Sequence, residues 1–225
     1  IGEKGSYAYI GPEWAQAAAG NSDKFKFYAS EGGVRVPLIL TGPGIPKTGE
    51  PVNARSWVSD ITPTILALTG TQTEKPINFS GKNLLPVLNS ETTQVYTAED
   101  SVGLEVAGNS ALYRGANKIV RHFPPAGDKK WRLYNIEQDP GETIDSSQSD
   151  PELFQFMLAE YEQYSQNVGV QPMPADYNSM DQMEKNTSKK IVAHLWSNYG
   201  YQTIGFLVIV ISFLVWIFVR RRRTA

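Results

Sequence analysis

The chain has 225 residues, of which 41% are hydrophobic and 20% charged, with a formal net charge of -2 and no cysteine. This balance excludes a nucleic-acid binder with a broad basic face, and the lack of cysteine excludes disulfides, thiolate metal sites and a cysteine nucleophile from these residues. The length accommodates one large domain, or a smaller one with appendages.

In chain order, residues 1 to about 25 read as a loop-rich approach punctuated by Gly2, Gly5, Gly11, Pro12 and Gly20. Alanine-rich composition predicts a short helix over 13–19. The most informative stretch follows: Asp23-Lys24-Phe25-Lys26-Phe27-Tyr28-Ala29-Ser30-Glu31-Gly32-Gly33-Val34-Arg35-Val36-Pro37. Lys26 precedes a Glu-Gly-Gly turn whose glycines permit positive φ or close approach of another group. Residues 34–40 are predicted as a strand buried on both faces. A helix is expected from Asp60, with Asp60 as its cap, Pro63 in its first turn and Gly70 as its stop. Ile61, Ile65, Leu66 and Leu68 would face the core.

From about Thr92 the texture changes to short strands, predicted at 95–98, 111–113, 118–120 and 131–134, with 114–117 as a tight reversal. Asp150 and Pro151 open a helix whose apolar stripe is Leu153, Phe154, Met157, Leu158, Tyr161 and Val168. Residues 171–190 are polar and without period, which reads as a linker. Residues 204–219 are apolar apart from Gly205 and Ser212, and Arg220, Arg221, Arg222 and Arg223 follow at once. That segment as a helix rises about 24 Å against a hydrocarbon core of about 30 Å, a gap that Tyr199, Tyr201 and snorkelling arginines fill. The arginines predict a single transmembrane helix with residues 1–198 outside the cytoplasm, periplasmic or extracellular. A competing reading is a sorting signal removed after export.

Several polar residues read as structural. Glu31 and Arg35 flank the turn and fit a salt bridge or loop hydrogen bond. His122 and His194 have no carboxylate or second histidine at ligand spacing. Asp139 and Glu142 fit turn chemistry. Trp131 and Tyr134 fit core packing better than a pocket rim.

The stretch around Lys26 resembles the carboxy-terminal part of the sulfatase family, of the bacterial arylsulfatase type. There, a lysine precedes Glu-Gly-Gly-(Ile/Val)-Arg-x-Pro at this spacing. Gly11-Pro12-Glu13-Trp14-Ala15 is similar to the approach to that lysine, and Asp60-Ile61-Thr62-Pro63-Thr64 to the family's Asp-x-x-Pro-Thr helix. Gly81-Lys82-Asn83-Leu84-Leu85-Pro86-Val87-Leu88 resembles Gly-x-Ser-Leu-Leu-Pro-Leu-Leu, with Asn83 in place of the serine. Ala98-Glu99-Asp100, the 112–119 hairpin and Leu133-Tyr134-Asn135-Ile136-Glu137-Gln138-Asp139-Pro140-Gly141-Glu142 continue the series in family order, across about residues 5–170.

The resemblance implies an alkaline-phosphatase-like α/β fold. Residues 1–91 would end the large sheet domain, and 92–170 would form a small antiparallel sheet with a packed helix. A linker over 171–198 and an anchor over 199–223 would complete the chain. It also implies sulfate ester hydrolysis, with a formylglycine made in a (Cys/Ser)-x-Pro-x-Arg motif and a calcium ion held by Asp and Asn oxygens. Neither that motif nor the Asp-Asn-Gly metal segment occurs in this sequence. The nucleophile and metal ligands are therefore expected upstream, and the chain alone is expected to be inactive. By position, Lys26 matches the lysine that contacts the sulfate, as catalytic and substrate-binding residue; Lys24 is two residues off the spacing. The implied substrate is a small-molecule or carbohydrate sulfate ester. The alternatives are a phosphonate or phosphate ester hydrolase of the same superfamily, or a non-catalytic, membrane-tethered binding module.

Overall fold

The structure, a computed structural model, describes residues 10–223 apart from 47, 48, 73 and 76; the side chains of 215, 218, 219 and 221–223 also lie outside that description. Gly2 and Gly5 of the predicted approach, and the side chains of Val219 and Arg221 to Arg223, are therefore not described. The chain divides into two units, Ile1–Met173 and Pro174–Ala225.

The first unit begins with α1 (Gly11–Ala18), a one-turn α2 (Glu31–Val34), a 3-10 turn (Val58–Asp60), α3 (Ile61–Thr69) and a one-turn α4 (Leu85–Leu88). Gly70 closes α3 in the left-handed conformation at φ 63, as the stop signal predicts. The predicted strand over 34–40 does not form: its start is α2, and the rest runs without a ladder partner. Val36 and Ile39 are exposed (76% and 87%), the opposite of two-sided burial. An extended segment becomes a strand only when a neighbouring backbone takes its hydrogen bonds, and no described residue does so here. In α3 the buried side chain is Thr64, while Ile65 stands 52% exposed, contrary to its expected core position.

The sheet is an antiparallel meander of β1 (Ser101–Val106), β2 (Asn109–Arg114), β3 (Asn117–Arg121) and β4 (Trp131–Asn135), with spatial order equal to chain order. Three of the four predicted strands are present; the first lies at 101–106 rather than 95–98. The β1–β2 turn is Ala107-Gly108, both at positive φ (49 and 83), closing the Val106–Asn109 pair. This is what a two-residue primed turn demands. In the β2–β3 turn Arg114 pairs with Asn117 and Gly115 takes φ 53.

Period-2 alternation gives the sheet two buried faces. On one, Leu112, Ile119 and Leu133 pack under Met157 and Tyr161 of α5 (Pro151–Val168), flanked by Leu153, Phe154, Leu158 and Tyr164. The Asp150 carboxylate caps α5 through the Leu153 N–H at 3.1 Å, whereas Val168 is 59% exposed and leaves the predicted stripe. Tyr164 lies where a side chain on Gly103 would be, so β1 needs a glycine there. The other face carries Ala111, Tyr113, Val120, Tyr134 and Ile136, packed with Ala29, Val34 and Trp57. The segment around Lys26 therefore rests on the sheet face opposite α5.

The second unit is dominated by α6 (Ser179–Arg223), 45 residues long and about 68 Å as a regular helix. The expected irregular stretch is thus helical from Ser179 onward. Within α6, Ser179–Leu214 is long and apolar enough to cross a membrane.

Candidate functional site

The loop from Asp23 to Gly33 doubles back on itself. The Gly32 N–H donates to the Asp23 carbonyl at 3.0 Å, Tyr28 N–H to Phe25 at 3.1 Å, and Gly33 N–H to Ser30 at 2.8 Å. A Cβ on Gly32 would overlap the Lys24 carbonyl oxygen, and one on Gly33 that of Tyr28. Both glycines are needed for close approach, not for positive φ. Positive φ falls instead on Lys24 (59) and Phe27 (87), on either side of Lys26. Lys26 is exposed, with its ammonium 5.0 Å from the centre of the Phe27 ring.

Side chains of the sheet unit fasten this loop. Asn109 Nδ2 donates to the Phe27 carbonyl at 2.9 Å, while its Oδ1 accepts the Phe123 N–H at 2.9 Å. His122 Nε2 accepts the Ala29 N–H at 3.2 Å, with Ser30 Oγ 3.3 Å away. Accepting at Nε2 requires a neutral ring. Burial, helped by the Lys24 and Lys118 cations, accordingly pushes the His122 pKa down to about 4. Glu142 Oε2 accepts the Glu31 N–H at 2.9 Å. Lys118 is fully buried and pairs with both Glu31 Oε1 at 3.0 Å and Glu142 Oε1 at 2.7 Å.

One ammonium between two carboxylates cannot serve both equally. Burial opposes the charge on Glu31, but Lys118 and the Tyr113 hydroxyl, which donates at 2.8 Å, outweigh it and hold that carboxyl below its ordinary value. For Glu142 burial prevails over Lys118 and the Glu31 amide, and the Glu31 charge adds to the upward push. Arg55 assists from the loop before α3, its guanidinium 5.2 Å from the Tyr113 ring centre.

A polar cavity of about 380 Å³ opens beside the loop, lined by Asp23, Lys24, Ser30, His122, Asp128 and Arg132 among others. Its cations are matched by acids: Lys24 pairs with Asp23 at 2.9 Å, and Arg132 with Asp128 at 2.9 Å. Lys26 is not part of that lining, whereas Tyr134 is, besides packing in the sheet core.

The sequence-derived readings fare unevenly. Glu31 does form a salt bridge. Glu142, expected to be turn chemistry, is instead a buried partner of Lys118, while Asp139 accepts hydrogen bonds from the Thr143 and Ile144 backbones as a turn residue does. The buried Asp60 carboxylate does not cap α3. It accepts the Trp57 and Lys82 N–H groups at 2.6 and 2.7 Å and the Tyr96 hydroxyl, tying three loops together. His122, expected to be structural, is a tether of the loop, whereas Asn109 and Lys118 carry roles that the sequence reading does not assign. Lys118 had a signal: in Asn117-Lys118-Ile119-Val120-Arg121 alternation puts it on the face of Val120, inside the fold.

No family model matches the chain. It is 30% identical over 186 residues to an uncharacterized sulfatase of Schizosaccharomyces pombe, covering 79% of this chain and 33% of that protein. An arylsulfatase of Klebsiella aerogenes is 27% identical over 100 residues, 44% of this chain and 21% of that protein. The chain thus spans a third or less of the curated relatives it matches. Among solved structures, that of Ps i-CgsB in complex with k-i-k-neocarrahexaose superposes with a TM-score of 0.54 at 26% identity, over 64% of this chain and 31% of that one. The likeness fits an alkaline-phosphatase-like α/β fold. These likenesses support a sulfatase family for the chain, at modest identity and over part of each relative.

Proposed function

We propose that this chain is the part of a membrane-anchored sulfatase that presents the sulfate-contacting lysine, Lys26. The reaction is hydrolysis of a sulfate ester to alcohol and sulfate. The observation that carries this reading is the Lys26 loop itself: a lysine at family spacing from Glu31-Gly32-Gly33, exposed at its tip and fastened to a buried sheet at its base. A fixed ammonium stabilises charge that grows on the ester and sulfuryl oxygens, and it needs no reorganisation at the moment of reaction.

Among the described residues no group of three or more His, Asp or Glu side chains is placed to hold a metal ion. The sequence also has no (Cys/Ser)-x-Pro-x-Arg motif. The described residues do not fit calcium, the sequence lacks the formylglycine motif, and in this reading both come from residues outside these 225. The oligosaccharide bound to Ps i-CgsB supports a carbohydrate sulfate ester as substrate.

The test is turnover of an aryl sulfate by a polypeptide that joins this chain to the family's nucleophile motif. Lys26→Ala should lower kcat by about 100-fold or more, the loss typical of one transition-state donor, with an unchanged circular dichroism spectrum. Unchanged turnover refutes the role of Lys26. The apolar segment 204–219 and the arginine after it support anchoring, with the globular part outside the cytoplasm. Alkaline carbonate should leave the chain in the membrane pellet and release a form lacking 199–225; release of both refutes the anchor.

A further inference from the structure

The contacts of Asn109 carry an inference about how Lys26 is aimed, which rests on the reading of Lys26 as the sulfate contact. We propose that Asn109 is a positioning residue for Lys26, acting through the Phe27 carbonyl.

A bulky aromatic residue at φ 87 is a backbone outlier, and such strain costs on the order of 1–3 kcal/mol unless its surroundings impose it. Asn109 imposes it from outside the loop. The side chain is fully buried at the first position of β2, directly after the Ala107-Gly108 turn, so the hairpin fixes where it stands. Its amide cannot rotate freely, because the Phe123 N–H needs the Oδ1 acceptor. The amide nitrogen is left facing the Phe27 carbonyl, and it donates there at 2.9 Å.

The Phe27 carbonyl opens the peptide unit between residues 27 and 28, one unit beyond Lys26. Holding it holds the unusual Phe27 backbone, and through that the stretch of chain from which the exposed Lys26 side chain leaves the loop. His122 and Glu142 hold the far half of the loop at Ala29 and Glu31; Asn109 holds the half that carries the lysine. A buried asparagine that merely satisfied two backbone groups would be replaceable by any side chain that satisfied them or by compensating packing. A positioning asparagine has a specific need: a donor toward residue 27.

Asn109→Asp isolates that need. One carboxylate oxygen still accepts the Phe123 N–H. The other meets the Phe27 carbonyl as acceptor against acceptor when ionised, and donates to it only when protonated. Two readouts test the proposal. In the joined polypeptide, the ratio of variant to wild-type kcat on an aryl sulfate should fall about 100-fold at pH 8, the loss expected for an ångström-scale misplacement, and recover most of that by about pH 5. The ratio cancels titration of His122, Glu31 and Glu142, which face the same loop. In the 225-residue chain itself, hydrogen exchange of residues 25–29 should be faster in Asn109→Asp at pH 8 and approach the wild-type value, corrected for intrinsic exchange, at acid pH.

Asn109→Ala, which removes both bonds without adding charge, should lose turnover with no acid recovery. A pH-independent ratio for Asn109→Asp, or loop exchange equal to wild type at pH 8, overturns the proposal. If the wild-type polypeptide turns over no sulfate ester, the functional reading fails, and hydrogen exchange still decides whether Asn109 holds the loop. If Asn109→Asp does not fold, Asn109→Ala with normal turnover overturns it equally.

Discussion

Replacing Lys118 by methionine should show how much the fold depends on a single buried cation. Lys118 is fully buried, and its ammonium neutralises Glu31 and Glu142, whose side chains are 9% and 1% exposed. Methionine fills nearly the same volume without charge, so packing is largely kept. What changes is that two carboxylates are left side by side in a buried site, and one must take up a proton or draw in water. Removing one partner of a buried ion pair costs about 3–5 kcal/mol. For a unit of this size that lowers the melting temperature by about 10 °C.

The cost should depend on pH. In the wild type the lowered Glu31 contributes stability above the ordinary glutamate pKa, lost as pH falls through its folded value; the raised Glu142 contributes in the opposite sense, most at acid pH. Without Lys118 both carboxyls are raised, so acid stabilises the variant relative to wild type. The deficit should therefore be largest near pH 7 and shrink below about pH 5, where glutamates protonate. Adding Glu142→Gln should recover part of the deficit at pH 7. The assay is urea unfolding followed by tryptophan fluorescence at both pH values. A loss below about 1 kcal/mol at pH 7, or one that does not shrink with acid, would refute the reasoning, because it would match an exposed ion pair.

Two further outcomes follow from the loop. Gly33→Ala places a methyl group on the Tyr28 carbonyl and should destabilise by about 1–3 kcal/mol, whereas alanine at Gly20, open on its Cβ side but at φ 68, should cost only about 1 kcal/mol; equal losses in urea unfolding would remove the steric argument. His122 drops from its ordinary 6.5 to about 4, so folding disfavours its proton and stability should fall as pH is lowered through that interval. At about 1.4 kcal/mol per factor of ten the loss reaches roughly 3 kcal/mol. His122→Gln, which keeps an acceptor for Ala29, should flatten that part of the stability profile; an unaltered slope would assign it to other groups.

What the sequence revealed was local. The three strands from 109 to 135, the Asp150 cap and the Gly70 stop rest on contacts within a few residues, and each was legible as pattern. Val95-Tyr96-Thr97-Ala98 reads as the first strand because β-branched and aromatic residues dominate it. Ser101–Val106 won because Ala107-Gly108 supplies the turn and Gly103 makes room for Tyr164. The strand over 34–40 failed for a different reason: its apolar residues describe a buried environment that the described residues do not build around it. At the site, Lys26 stood out through spacing and resemblance, while Asn109, His122 and Glu142 did not. Their roles arise from tertiary contacts across some 80 to 110 residues, which no local period encodes.

Those long separations bear on how the molecule is made. The meander of four strands closes through short turns and can form as soon as its own residues exist. The Lys26 loop cannot: its anchors lie 82 residues away at Asn109, 93 at His122 and 111 at Glu142. During synthesis, which proceeds from the amino end, the loop leaves the ribosome first and waits until the chain has grown past Glu142. The lysine that would meet the sulfate is thus set late, by residues translated long after it. A ribosome stalled within β4 would carry a loop whose sequence is complete and whose geometry is not.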